Sequence, residues 1–149
     1  MRVVVQRVDR AVVGVERCEI SKIGKGLLVF LGVEKGDHQQ DADYLLEKII
    51  TLRIFEDSEG KMNLSLLDVA GEMLIVSQFT ILGDCRKGRR PSFFRAEAQE
   101  EAKKLYHYFI VQGQQRIKRA WGGEFQAMMK IESVNDGPVT ILLDSRKNF

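Results

Sequence analysis

Histidine and cysteine are scarce in this sequence, and many routes to catalysis depend on one or the other. The two histidines, His38 and His107, have no second histidine or carboxylate at metal-ligand spacing, which argues against a metal site. His38 falls in a helix-entry segment and His107 within a helix. Neither sits at a strand end or in a glycine-rich loop, so a Ser-His-Asp triad is not indicated, and both read as surface or capping residues. The two cysteines, Cys18 and Cys85, are far apart and form no CxxC pair, and the first eight residues read as a strand, not as a secretory leader, so a disulfide is not expected. The longest apolar stretch, Gly26 to Val33, is far short of the ~20 residues of a membrane helix. No GxxxxGK[ST] or GxGxxG phosphate loop is present. Charge of one sign is also lacking: 23 Lys and Arg stand against 21 Asp and Glu, a net +2. Any footprint for nucleic acid must therefore be local. These absences set the expectation of a cytoplasmic protein with no metal, no cofactor and no membrane segment.

The 149 residues, 44% of them hydrophobic, correspond to one domain spanning 1–149. A chain of about this length buries ~70% of its unfolded surface and needs no covalent staple. Arg2 to Val8 is valine-rich and reads as a buried strand, with Ala11 to Glu16 returning as a hairpin. Glu19 to Ile23 is a further short strand. Gly26 to Val33 is almost wholly apolar, the pattern of a strand buried on both faces. Asp37 and Gln40 then resemble a capping box. Ala42, Leu45, Leu46, Ile49 and Ile50 form the apolar stripe of an amphipathic helix. Asp57 to Gly60 is a turn leading to Met62–Leu67, and Glu72 to Leu82 is the next long strand. A second helix is expected just after Pro91-Ser92, with Ala98, Ala102, Leu105, Tyr106 and Phe109 on its buried face and Gly113 ending or bending it. Phe125 to Val134 and Val139 to Asp144 supply the last two strands. The fold class is α/β: a single domain whose strongly twisted mixed β-sheet curls into a partly closed barrel with two main helices packed on it.

Three features stand out for chemistry. Ser77-Gln78-Phe79-Thr80 interrupts an apolar strand with polar groups that each need a partner. Two readings stay open: a strand emerging at a sheet edge, or a site in which backbone N–H groups form an oxyanion hole. A hydroxyl with no adjacent base is a poor nucleophile, which weakens the case for Thr80 as one. Asn135-Asp136-Gly137-Pro138 suits a rigid turn that holds bare carbonyls near a ligand, although an ordinary turn has the same composition. Arg86-Lys87-Gly88-Arg89-Arg90 clusters four cations in a loop, as phosphate contacts require. Arg116, Lys118 and Arg119 are candidates to extend that patch.

Together these segments resemble the D-aminoacyl-tRNA deacylase family, also called D-tyrosyl-tRNA deacylase. The likeness covers essentially the whole chain. Met1 to Val8 is similar to the family's first strand, Gly60-Lys61-Met62-Asn63 to its central turn, and Ser77-Gln78-Phe79-Thr80-Ile81 to its SQFTL motif. Lys87 to Phe93 matches its basic loop and Asn135 to Thr140 its NxGPVT motif. Ile81 and Gln126 depart from the usual leucine and glycine. The resemblance implies hydrolysis of D-aminoacyl-tRNA, and of glycyl-tRNA mischarged on alanine tRNA, by a homodimer in which the Gly-cis-Pro turn of one subunit enters the pocket of the other. Gly137 and Pro138 would reject L residues, Arg7 would brace their carbonyls and Met129 would pack beside the turn. Ser77, Gln78, Phe79 and Thr80 would surround the ester, with catalysis by oxyanion stabilisation and help from the tRNA 2′-OH. Arg86, Lys87, Arg89 and Arg90 would bind tRNA. The competing classes are a non-catalytic aminoacyl-tRNA or RNA-binding module, and a hydrolase of free D-amino acid esters.

Overall fold

The computed structural model describes all 149 residues. Its organising element is the long strand β1, Arg2–Val15. The expected hairpin of Arg2–Val8 and Ala11–Glu16 is replaced by one strand running straight through Asp9-Arg10. Those two side chains are exposed, while Val8 and Ala11 beside them are buried. The reversal comes after Val15, where Glu16 adopts φ +55° and β2, Cys18–Ile23, returns antiparallel. Along one edge, β1 pairs first with β3, Gly26–Gly32, and then with β2. Along its other edge it pairs with β8, Met129–Asp144, over almost its whole length. Strand β3 is parallel to β6, Glu72–Ser77, and β6 is parallel to β7, Ala120–Gly122. The mixed sheet thus has the order β2-β1-β3-β6-β7 with β8 on β1. The Ser21 hydroxyl of β2 donates to the Gly122 carbonyl of β7 at 3.0 Å. This contact brings the two ends of the order together and nearly closes the barrel. A two-stranded ribbon, β4 (Phe55–Glu56) and β5 (Met62–Leu64), stands apart.

The apolar run of β3 is buried on both faces, as its pattern requires. Leu27, Val29 and Leu31 join Met73, Ile75 and the helices in the larger core, whereas Leu28 joins Leu74, Val76, Val8, Ala11 and Val13 in a smaller one. Gly26 permits the close approach of β3 to β6: a Cβ there would lie 1.9 Å from the Glu72 carbonyl oxygen.

Helix α1 spans Gln39–Thr51 and buries the whole expected stripe from Ala42 to Ile50. Its cap is shifted by one residue from the expected Asp37–Gln40 box. The His38 N–H donates to the Asp41 carboxylate at 2.8 Å. Asp37 is committed elsewhere: its Oδ2 accepts the Glu34 N–H at 2.6 Å and pairs with the Met1 ammonium at 2.7 Å, with both charged groups fully buried. Helix α2 spans Gln99–Arg116. It begins later than expected because the preceding loop is tied down outside the helix, through the Asp84–Ser92 bridge, the turn closed by Ala96 N–H to Phe93 O, Lys35 N–H to Arg95 O and Glu97 N–H to Val33 O. Ala98 is therefore the exposed N-cap instead of a core residue, while Tyr106 and Phe109 are buried and Ala102 and Leu105 pack at the margin. The helix also continues through buried Gly113 to Arg116. Neither helix is long and apolar enough to cross a membrane.

Candidate active site

The strand expected to run from Glu72 to Leu82 ends at Ser77. Its parallel neighbour β3 stops at Gly32, and after a last bond from Gln78 N–H to Leu31 O at 2.8 Å there is no edge left to pair with. The chain turns over Gly32 into a 3₁₀ turn, Phe79–Leu82. Strand alternation therefore does not govern the four motif residues. In this turn the first acceptor is Gln78 O, bonded by Ile81 N–H. The N–H groups of Phe79 and Thr80 have no partner within the turn, the usual condition of a helical N-terminus. Thr80 is exposed, and its hydroxyl has one hydrogen-bond partner, the Gln78 side-chain amide. No base touches it.

Ser77, Gln78 and Phe79 line a cavity of about 650 Å3 together with Phe125, Met128 and Met129. That size suits a small organic group. Glu97 is its one charged lining residue, and both of its oxygens are engaged, with the Gly36 and Ala98 N–H groups at 3.2 and 2.8 Å. One wall is tied to the core by Tyr106, whose buried hydroxyl lies 2.9 Å from Ile75 O and 3.0 Å from Gly123 O. Burial pushes that phenol well above its ordinary pKa, keeping it a neutral donor. The Phe79 ring meets Phe93 edge-on at 5.0 Å, which joins the motif to the loop that follows it.

Asn135 to Val139 forms no reversal between two strands. Val139–Asp144 and the Met129–Val134 part of the other expected strand belong to the single ladder of β8 on β1, which pairs Gln6 with Thr140 and then Val8 with Asn135, while residues 125–128 form a turn before it. Residues 136–139 form a bulge opposite Arg7 alone, with Gly137 and Pro138 exposed and Val139 buried in the larger core. Asn135 closes the base of the bulge: its Oδ1 accepts the Val139 N–H at 3.1 Å and its Nδ2 donates to Thr140 Oγ1 at 3.1 Å. Arg7, 4% exposed, donates from Nη1 to Ile54 O at 2.7 Å and from Nε to Asp136 O at 3.3 Å. Its Nε also pairs with the Asp136 carboxylate at 2.9 Å. The carbonyl it holds is thus the one preceding Gly137. Gly137 has φ +116°, a Cβ there would lie 2.9 Å from Arg7 Nη2, and the Gly137–Pro138 bond is cis. Gly137 and Pro138 are exposed.

Within one subunit the two motifs lie apart. The cavity takes in Ser77, Gln78, Phe79 and Met129, but Thr80, Arg7, Gly137 and Pro138 are not among its lining residues. Met129 is the first residue of β8, against Gly123, whereas the bulge lies at the middle of that strand. Glu97 and Phe125 are parts that sequence reasoning did not assign, and Asn135 and Asp136 stood in the turn motif without the bracing roles they have here. The Arg7–Asp136 pair joins residues with no local pattern between them, whereas the neighbours of Gly137-Pro138 were at least within its motif.

The basic loop is closed at its base by the Asp84–Ser92 bridge, with backbone bonds of 2.8 and 2.9 Å, and Gly88 at its tip adopts φ +72°. Arg86 is spent on Asp84, whose carboxyl its side-chain and backbone donors hold far below the carboxylate range. Lys87, Arg89 and Arg90 are exposed and have no ion-pair partner. Arg116 and Arg119 do not offer free charge: they pair with Glu47 at 2.8 Å and Glu72 at 2.6 Å.

Comparisons with known proteins bear on this geometry. The model of the family described as D-Tyr-tRNA(Tyr) deacylase matches residues 4–144. A D-aminoacyl-tRNA deacylase of Syntrophus aciditrophicus (strain SB) is 64% identical over 149 residues, covering all of both chains. One from Thermosipho melanesiensis is 56% identical, again over the full length of both. Among solved structures, one described as a c-Myc DNA unwinding element binding protein superposes with a TM-score of 0.91 at 41% identity, covering 97% of this chain and 98% of that one. A probable eukaryotic D-amino acid tRNA deacylase shares the fold, with a TM-score of 0.77 at 18% identity over 95% of this chain and 97% of its own.

Proposed function

This chain belongs to the D-Tyr-tRNA(Tyr) deacylase family, and on that premise we propose how its parts divide the work. It is an ester hydrolase that deacylates D-aminoacyl-tRNA. The aminoacyl end of the substrate enters the cavity beside Ser77, Gln78 and Phe79. The free N–H groups of Phe79 and Thr80 face the ester carbonyl and stabilise its oxyanion. A water oxygen adds to the acyl carbon, and the carbonyl electron pair moves onto oxygen against those donors. Collapse breaks the bond to O3′, while the water's proton passes to O3′ by way of the neighbouring 2′-OH. The products are the D-amino acid and tRNA with a free 3′-hydroxyl. An aminoacyl ester is already reactive, so positioning and oxyanion stabilisation suffice without a protein nucleophile.

One observation carries the reading of chirality. The Gly137-Pro138 bulge is braced at its base by Asn135 and buried Arg7, yet its tip is exposed and lies outside its own subunit's cavity. A rigid tip of that kind suits insertion into a second copy of the chain. We therefore favour a homodimer in which each bulge completes the partner's cavity next to Met129. Bare carbonyls there exclude an L side chain and leave a D side chain free, so one site accepts many D residues. Glycine has nothing to exclude, and glycyl-tRNA mischarged on alanine tRNA is a second substrate. Lys87, Arg89 and Arg90 hold tRNA phosphates, with Arg86 fixing the loop. The substrate places the enzyme with charged tRNA in the cytoplasm.

Deacylation of matched D- and L-aminoacyl-tRNA, with the native chain and with Thr80→Ala, tests this. The D ester should be hydrolysed far faster than the L ester, and Thr80→Ala should keep most of the turnover. Near-complete loss in Thr80→Ala with substrate binding intact would refute the substrate-assisted mechanism. L-selective hydrolysis would refute the role given to Gly137-Pro138. A binding module would protect the ester from hydrolysis, and a hydrolase of free esters would be indifferent to charge reversal at Lys87, Arg89 and Arg90.

A further inference from the structure

We propose that Phe94, with Lys35 behind it, is a stacking platform for a base of the single-stranded 3′ end of tRNA, outside the cavity that takes the aminoacyl group. The proposal rests on the substrate class assigned above and adds a subsite to it. Phe94 is 79% exposed, against 36% for Phe93 beside it. Its exposure is built in, because the backbone on either side is fixed. Phe93 turns inward against Phe79, and the Arg95 guanidinium is locked onto buried Glu34, with Nε 2.6 Å from Oε1. The Arg95 carbonyl accepts the Lys35 N–H at 2.9 Å, and Glu34 bridges to Ala96. Between these anchors the Phe94 ring points outward from a turn closed by the Ala96 N–H to Phe93 O bond at 3.0 Å, a position that forgoes the burial normally gained by a phenylalanine.

The Lys35 ammonium lies 3.9 Å from the centre of the Phe94 ring. It covers one face, and an exposure of 79% leaves the other open. An aromatic face flanked by cations is the chemistry that binds single-stranded nucleic acid: bases stack on the ring while cations meet the backbone. The placement fits. Phe94 lies four residues after Arg90 in the basic loop and two before Ala96 in the cavity wall. At 3.8 Å per residue its Cα is therefore within about 8 Å of the wall and about 15 Å of the last loop cation. A tRNA whose phosphates rest on Lys87, Arg89 and Arg90 and whose ester is in the cavity must lay its unpaired 3′ nucleotides across the ground between. A base on Phe94 puts a phosphate within reach of Lys35.

The test compares two substrates that share the ester, D-tyrosyl-tRNA and 3′-O-D-tyrosyl-adenosine. Only the first carries the nucleotides that would stack. Phe94→Ala should raise KM for the tRNA about 5- to 150-fold with kcat unchanged. It should leave the adenosine ester's kinetics as they are, and Phe94→Trp should restore the tRNA value. Lys35→Ala should raise KM for the tRNA about 2- to 5-fold. An unchanged KM for the tRNA in Phe94→Ala overturns the platform, as does an equal loss on both substrates. A change of oligomeric state in Phe94→Ala by sedimentation also overturns it, since the ring would then belong to contact between copies. Wild-type protein inactive on both substrates would refute the function itself. Wild-type activity with Phe94→Ala indistinguishable from it refutes the platform alone.

Discussion

Replacing Arg7 with methionine separates the brace from the bulge it supports. Methionine keeps most of the buried stem's volume, so little cavity forms, but every donor is lost. The Nη1 bond to Ile54 O at 2.7 Å is buried, and its loss leaves a carbonyl without a partner. A charge-assisted bond of this kind contributes about 1.5–3 kcal/mol. The longer Nε bond to Asp136 O at 3.3 Å contributes less. The Asp136 carboxylate is 36% exposed, so solvent screening limits its pairing with Arg7 to ~1 kcal/mol or below. Together the loss comes to about 3–4 kcal/mol. For 149 residues the unfolding entropy converts this to a Tm lowered by about 10 °C. The functional consequence is separate. With Asp136 O released, the bulge loses its fixed direction, and the preference for D over L ester should fall about tenfold or more at a temperature where the variant stays folded, the equivalent of ~1.4 kcal/mol. Differential scanning calorimetry reads the first effect and paired D- and L-aminoacyl-tRNA kinetics the second. Arg7→Lys, which can reach one carbonyl but not both, should fall between. Full chiral preference in a folded Arg7→Met enzyme would refute the claim that this brace sets the discriminating geometry.

Joint replacement of Lys87, Arg89 and Arg90 by glutamate should weaken tRNA binding uniformly and lower the slope of log affinity against log salt by about two to three units, with circular dichroism unchanged. The carboxyl of Asp144 sets part of the acid limit. Its burial alone would raise its pKa, but Asn148, the Arg146 N–H and Arg2 outweigh that and hold it below the ordinary value. A folded-state value below the unfolded one means that this stabilisation is complete above the unfolded pKa near ~3.9 and is lost as pH falls through the lower, folded one. Urea titrations between pH 6 and 3 should show a falling midpoint, shallower in Asp144→Asn. Gly26→Ala should cost at least ~3 kcal/mol, because its Cβ would sit 1.9 Å from the rigid Glu72 carbonyl, and soluble yield on expression reads it.

Helix α1 was legible because its apolar stripe has one period throughout, and β3 because nothing polar interrupts it. Asp9-Arg10 misled for a physical reason: two exposed polar residues mark a turn as readily as a strand that crosses the outside of a barrel, and only the partners of β1 decide between them. The end of β6 was set by the length of β3, which composition around Ser77 does not record. His38–Asp41 and Asp37–Gln40 are both plausible caps in adjacent registers. The choice fell to Asp37's buried pairing with the Met1 ammonium, a contact distant in sequence. The two polar motifs were visible as residues, but only the resemblance, with one motif from each subunit, bore on their placement, since alternation and spacing say nothing about which distant strands meet.

Strand β1 also constrains how the molecule assembles. One of its edges is satisfied early, by β2 and β3, which follow it directly in the chain. The other waits for β8, and the pairing of Arg2 with Asp144 spans nearly the whole sequence. Closing a loop of that length costs about 4 kcal/mol of chain entropy before any pair along it forms. Such non-local pairing slows folding, and until it completes the free edge of β1 is open to any passing strand. The Gly137-Pro138 bulge is built into this last ladder. The tip therefore takes its shape only when the sheet is finished, and on the proposed role of Gly137-Pro138 an incompletely folded chain has no means of telling one hand of substrate from the other.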